Sequence, residues 1–156
     1  LVRRSGMPAT QALAEPLLTS RRGEISPPAV VTDPLGESVV LWLERGVRVG
    51  IWARHHTLRR GWDDAEHVLG IGDADVMRPQ VVSHGGGSVT AVWLGQDSAW
   101  TSQFIHGLSW GRVAAVESAD MPVHNIALDA AGESNTVFLW TQGDREPVQL
   151  LVREVN

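Results

Sequence analysis

Three Trp-centred segments recur about every fifty residues, four short apolar strands fit inside each period, and Asp- and Gly-containing turns separate the strands. Together these observations predict an all-β fold, a β-propeller of four-stranded blades with about three blades in this chain. The recurring segments are "VLWLERG", "AVWLGQD" and "FLWTQGD", centred on Trp42, Trp93 and Trp140; 51 residues separate the first pair and 47 the second.

Each unit opens with an apolar strand: "PAVVTDPLG" from Pro28, "PQVVSHGGG" from Pro79 and "HNIALDAAG" from His124. A glycine stands eight residues into each block, at Gly36, Gly87 and Gly132, where a tight turn needs a residue free to take positive φ. The Trp strand follows, six residues after Gly36 and Gly87 and eight after Gly132. "SVVLWL" and "NTVFLW" are nearly continuous apolar runs, the pattern of strands covered on both faces; a strand with one wet face would alternate. A third strand carries Trp52 or Trp100, and ten residues later Trp62 and Trp110 open a bend and a fourth strand.

The units divide the chain at 24–78, 79–121 and 122–156, the last a partial blade. Residues 1–23 hold "GMPATQALAEPLL", with Met7 where Trp62 and Trp110 stand, and are read as the fourth strand of the blade whose other strands lie at 124–156. Three blades are fewer than the four to eight that usually close a ring. Two copies forming a six-bladed ring would leave no open edge; the alternative is that missing blades lie in a longer chain, which the start at Leu1 also suggests.

Composition removes several functions. A hydrophobic content of 43% supports a core, while a net charge of −5 and basic residues gathered only in short Arg pairs exclude a nucleic-acid footprint. All thirteen basic residues are Arg, so no Lys is present for Schiff-base chemistry. Without Cys there are no disulfides, thiolate nucleophiles or Cys-ligated zinc. No apolar run approaches the length of a membrane span. An extracytoplasmic or secreted location is the expectation, although no targeting segment is legible.

The seven Trp residues divide by environment. Trp42, Trp93 and Trp140 sit in apolar strands and are assigned to packing between blades, and Trp62 and Trp110 to packing at the bends. Trp52 and Trp100 lie beside polar residues, in "IWARHH" and "AWTSQ". With Arg54 and His55 they are the candidate ligand-binding residues: an indole can stack on the C–H face of a sugar while polar neighbours take its hydroxyls. Asp33 and Asp129, each three residues before a Gly, read as turn carboxylates. His55 and His56 point to opposite faces of an extended strand, and the other histidines are scattered, so neither a metal nor another cofactor is expected. No catalytic residue is assigned.

The formula of a "PAVVTDPLGESVVLW" block, "HGLSWGRVAAV" and "IALDAAGESNTVFLW" resembles the divergent bacterial propeller repeats related to the sialidase-like (Asp-box) superfamily, over about residues 24–156. The Asp-box pattern runs Ser-x-Asp-x-Gly-x-Thr-Trp; here "HGLSW" keeps the Gly-x-Ser-Trp end and Phe104 or Ile105 takes the Asp position. The resemblance implies a propeller, but sialidases of the superfamily use a Tyr nucleophile and this chain has no Tyr. The expected function is therefore a non-enzymatic recognition or scaffold module, with a glycan as the leading ligand class. Two readings stand beside it: part of a larger glycoside hydrolase propeller, and a purely structural oligomerisation fragment.

Overall fold

A computed structural model describes residues 23–45, 49–63, 67–71, 79–95, 98–116, 121–132, 135–143 and 149–155. Among the described residues the chain is all-β and every strand pairing is antiparallel. None of them forms a helix long and apolar enough to cross a membrane. Of the segment 1–23, read from sequence as a blade-closing strand, residues 1–22 lie outside the described residues.

The strands form three sheets in chain order. The first contains β1 (Glu24–Ile25), β2 (Ala29–Thr32), β3 (Ser38–Arg45), β4 (Gly50–Thr57), β5 (Gly61–Trp62) and β6 (His67–Ile71). β1 and β2 share one edge of β3, and β5 and β6 share the far edge of β4, so the sheet is four strands wide. The break between β1 and β2 falls at Pro27 and Pro28, which have no N–H for a ladder. Ser26 holds the edge in place there: its N–H donates to the Leu43 carbonyl at 2.8 Å and its Oγ accepts from the Leu43 N–H at 3.0 Å.

The second sheet is the meander β7 (Gln80–Gly85), β8 (Ser88–Gly95), β9 (Ser98–Phe104) and β10 (Ala114–Ala115). The third is β11 (Val123–Ala131), β12 (Asn135–Gln142) and β13 (Gln149–Val155). The three Trp-centred segments are thus the second full strand of each sheet, β3, β8 and β12.

Packing follows from strand alternation. Val39, Leu41, Leu43, Ile51 and Ala53 turn one face of the first sheet to Val89, Ala91, Trp93 and Phe104 of the second. The intervening residues of β8 and β9, Val92, Leu94 and Ala99, turn the other way with Val116 and meet Val123, Ile126, Phe138 and Trp140 of the third sheet. The second sheet is therefore covered on both faces, which is why β8 reads as a run of buried residues with no wet positions after Ser88. Each fully buried aliphatic or Phe side chain in such a layer contributes about 1.5–3 kcal/mol of burial free energy.

Trp93 and Trp140 both face the preceding sheet. Trp42 holds the same place in the first sheet, on the face opposite Leu41 and Leu43, and is 2% exposed. On the far side of the third sheet, Leu139 and its cross-strand partner Val152 are 41% and 67% exposed.

Candidate functional site

At the end of the strands where β3 begins, the first two sheets part into a cleft of about 810 Å³, lined by Glu37, His55, Arg60, Asp63, Phe104 and His106 among others. Its floor is built by turn chemistry. Between β2 and β3, the Asp33 N–H donates to the Glu37 carbonyl at 2.9 Å, the Gly36 N–H donates to the Asp33 carbonyl at 3.0 Å, and Asp33 Oδ1 accepts from the Glu37 N–H at 2.9 Å. Gly36 takes φ +84°, the left-handed conformation this turn requires. The other oxygen, Asp33 Oδ2, accepts from the Gly87 N–H at 2.8 Å. Asp33 is buried, so this one carboxylate closes its own turn and ties it to the corresponding turn of the next sheet.

Glu37, positioned by that turn, meets two histidines. His55 comes from β4, on the face directed at the second sheet, and is 7% exposed. Its ring lies 5.0 Å from the Phe104 ring. His106 stands in the turn after β9, closed by the Leu108 N–H donating to the Ile105 carbonyl at 2.9 Å, with its side chain 48% exposed. Glu37 Oε2 lies 3.7 Å from His55 Nε2 and 3.0 Å from His106 Nδ1. Neither contact is a hydrogen bond: Glu37 Oε2 and His55 Nε2 are both buried without a hydrogen-bond partner. A buried polar atom left unpaired costs about 1–3 kcal/mol, so this arrangement is held against a penalty.

Burial pushes the His55 pKa down, against the opposing pull of Asp63 and Glu37. The imidazole is therefore neutral at neutral pH and keeps a lone pair on one ring nitrogen. The cleft thus combines acceptors and a neutral imidazole on its floor, Arg59 and Arg60 on its wall, and Phe104 and Leu108 as apolar surface.

The residues singled out from sequence fall in different places. His55 lines the cleft. Trp52 and Arg54 lie on the opposite face of the first sheet, alternating with His55 along β4, and the Arg54 guanidinium donates to the Asp63 carbonyl, with Nε at 2.9 Å. Trp100 packs against the core between the first two sheets, and its Nε1 donates to the Gly95 carbonyl at 3.2 Å. Trp52 and Trp100 are therefore not brought to one surface. Trp110 packs beside Phe104, ring centres 5.5 Å apart, and Trp62 against His56 at 5.1 Å.

Sequence reading missed Glu37 and His106 because they are distant in the chain and each looks like an ordinary turn residue. The signal available was positional. The Gly36 and Gly87 turns are matching features of consecutive units, which puts Glu37, next to Gly36, at the turn end of its sheet; no such signal marks His106, which follows β9.

Comparison with protein-family models finds no match, and no curated protein matches the chain. The functional reading therefore rests on the residues themselves.

Proposed function

We propose that the chain is a non-enzymatic recognition module: a β-propeller segment whose first two sheets hold a small polyhydroxylated ligand, of the carbohydrate class, in the cleft above Glu37 and His55. The observation that carries this reading is the cleft floor, where two buried polar atoms lack partners at the base of a cavity large enough for a sugar unit. Hydroxyl groups, which both donate and accept, suit a carboxylate and a neutral imidazole together. Phe104 and Leu108 offer apolar surface for C–H faces, and Arg59 and Arg60 offer forked donors.

The propeller reading is supported by three successive antiparallel sheets whose opening strands β2, β7 and β11 are neighbours, and by the Trp strands of successive sheets facing the same way round.

Isothermal titration across a glycan panel tests the binding reading. The expected result is saturable binding to at least one member, weakened about tenfold or more in Arg60→Ala, a loss of about 1.4 kcal/mol. Absence of binding across the panel overturns the carbohydrate assignment. Loss of binding in Trp52→Ala with none in Arg60→Ala would move the site to the opposite face of the first sheet.

A further inference from the structure

We infer that Glu37, His55 and His106 form a binding site for a divalent cation of the zinc class, with Glu37 Oε2, His55 Nε2 and His106 Nδ1 as its three protein ligands. A ligand atom from each residue lies within 4.8 Å of the others. Zinc holds imidazole and carboxylate donors about 2.0–2.1 Å away, so donors of a tetrahedral site stand about 3.3 Å from one another. The two separations from Glu37 Oε2, 3.0 and 3.7 Å, lie on either side of that value. His106 supplies its Nδ1 from an exposed turn, with its side chain 48% exposed.

The independent observation is the state of the other two donors. His55 is more than nine-tenths buried, its Nε2 stands 3.7 Å from Glu37 Oε2, and neither atom has a hydrogen bond. A buried acceptor facing a buried imidazole nitrogen without a linking hydrogen is an unfavourable pair by itself, and a cation between them satisfies both. Two imidazoles and one carboxylate, with no thiolate, suit zinc and its first-row neighbours, whereas calcium and magnesium take oxygen ligands in greater number.

The surroundings fix the donors as a metal site requires. Asp33 accepts from the Glu37 N–H with one oxygen and from the Gly87 N–H with the other, which sets the Glu37 backbone relative to the second sheet. Gly87, at φ +75°, leaves the space: a Cβ there would stand 2.4 Å from Glu37 Oε2 and 2.6 Å from His106 Nδ1. A fourth coordination position remains for water or a ligand. The same two unpartnered atoms support the carbohydrate reading, but the ion alone is the probe here, so failure of zinc uptake and failure of glycan binding are distinguished.

The test is titration of the metal-free chain with Zn²⁺, by calorimetry and by NMR of the imidazole nitrogens. The expected result is saturable uptake of one ion, with coordination shifts at His55 Nε2 and His106 Nδ1. Affinity should fall about tenfold or more in His106→Ala, whose side chain is half exposed, and in the near-isosteric Glu37→Gln; His124→Ala should bind as the parent does. Zinc uptake unchanged in both site variants, or uptake that never saturates, overturns the assignment. Folding of each variant is checked by the dispersion of its amide spectrum, so loss of binding in a folded His106→Ala or Glu37→Gln chain is attributed to the ligand set.

Discussion

Asp33 shows how much one side chain can organise. Its two oxygens accept from the Glu37 and Gly87 N–H groups, at 2.9 and 2.8 Å, in a buried setting. Removing the carboxylate leaves those donors without their partner, and Asp33→Ala is expected to destabilise the chain by roughly 1–3 kcal/mol. Asp33→Asn, which keeps an acceptor oxygen, should lose less. Urea midpoints of the three proteins check the ranking, and equal loss in both variants would mean that one acceptor oxygen does not replace the two that Asp33 provides. The turn role of Asp33 was legible in "VVTDPLG", since Asp three residues before Gly is local chemistry. The bond to Gly87 was not, because it depends on how two turns meet in space.

Among the elements, β8 contributes its alternate residues to two different cores. Polar residues are threaded through the second of these layers. His84 Nε2 of β7 lies 2.7 Å from Thr90 Oγ1 of β8 and 3.2 Å from Thr136 Oγ1 of β12, and Thr136 Oγ1 donates to Thr90 Oγ1 at 3.2 Å. This small network joins the second and third sheets. Burial pushes the His84 pKa below its ordinary 6.5, with the Gly132 backbone pulling the other way. Its Nδ1 is buried without a well-formed hydrogen bond.

The consequence for pH has a definite sign. The unfolded chain takes up a proton at His84 near pH 6.5 and the folded chain only at lower pH, so between those values the unfolded state binds more protons. The stabilising contribution of His84 is therefore fully present above about pH 6.5 and declines as pH falls toward the folded value. Denaturation midpoints of the parent and His84→Gln, measured from pH 8 to pH 5, should converge as pH is lowered. A constant gap would show that His84 keeps the same ionisation in both states. The continuous run "SVVLWL" implies cover on both faces, and β3 buries Leu41 and Leu43 on one face and Trp42 on the other; "NTVFLW" implies the same, but β12 leaves Leu139 41% exposed on its far face, because no described neighbour packs there. The network did not show in sequence, because Thr90 and Thr136 read as ordinary strand residues.

At the scale of the whole molecule, three sheets stand side by side and only the middle one is covered on both faces by its described neighbours. The third sheet leaves Leu139 and Val152 exposed on its far side. Apolar surface of this kind is a cost that association relieves. A six-bladed ring of two copies, one of the two closures expected from sequence, predicts a solution mass near twice 16.9 kDa, with thermal stability that rises with protein concentration. Light scattering behind a sizing column checks it. A folded monomer of concentration-independent stability would mean that these sheets need no second copy.

The sequence by itself determined the all-β class, the period of the Trp strands and the turns at Gly36 and Gly87. Each of these is written in nearby residues, through alternation, propensity and φ. Only the tertiary structure decided that Trp52 and Trp100 serve different faces and that Glu37, His55 and His106 converge. Such convergence arises from the stacking of one sheet on the next, and side chains distant along the chain acquire a common chemistry only when that stacking brings their atoms within a few ångströms.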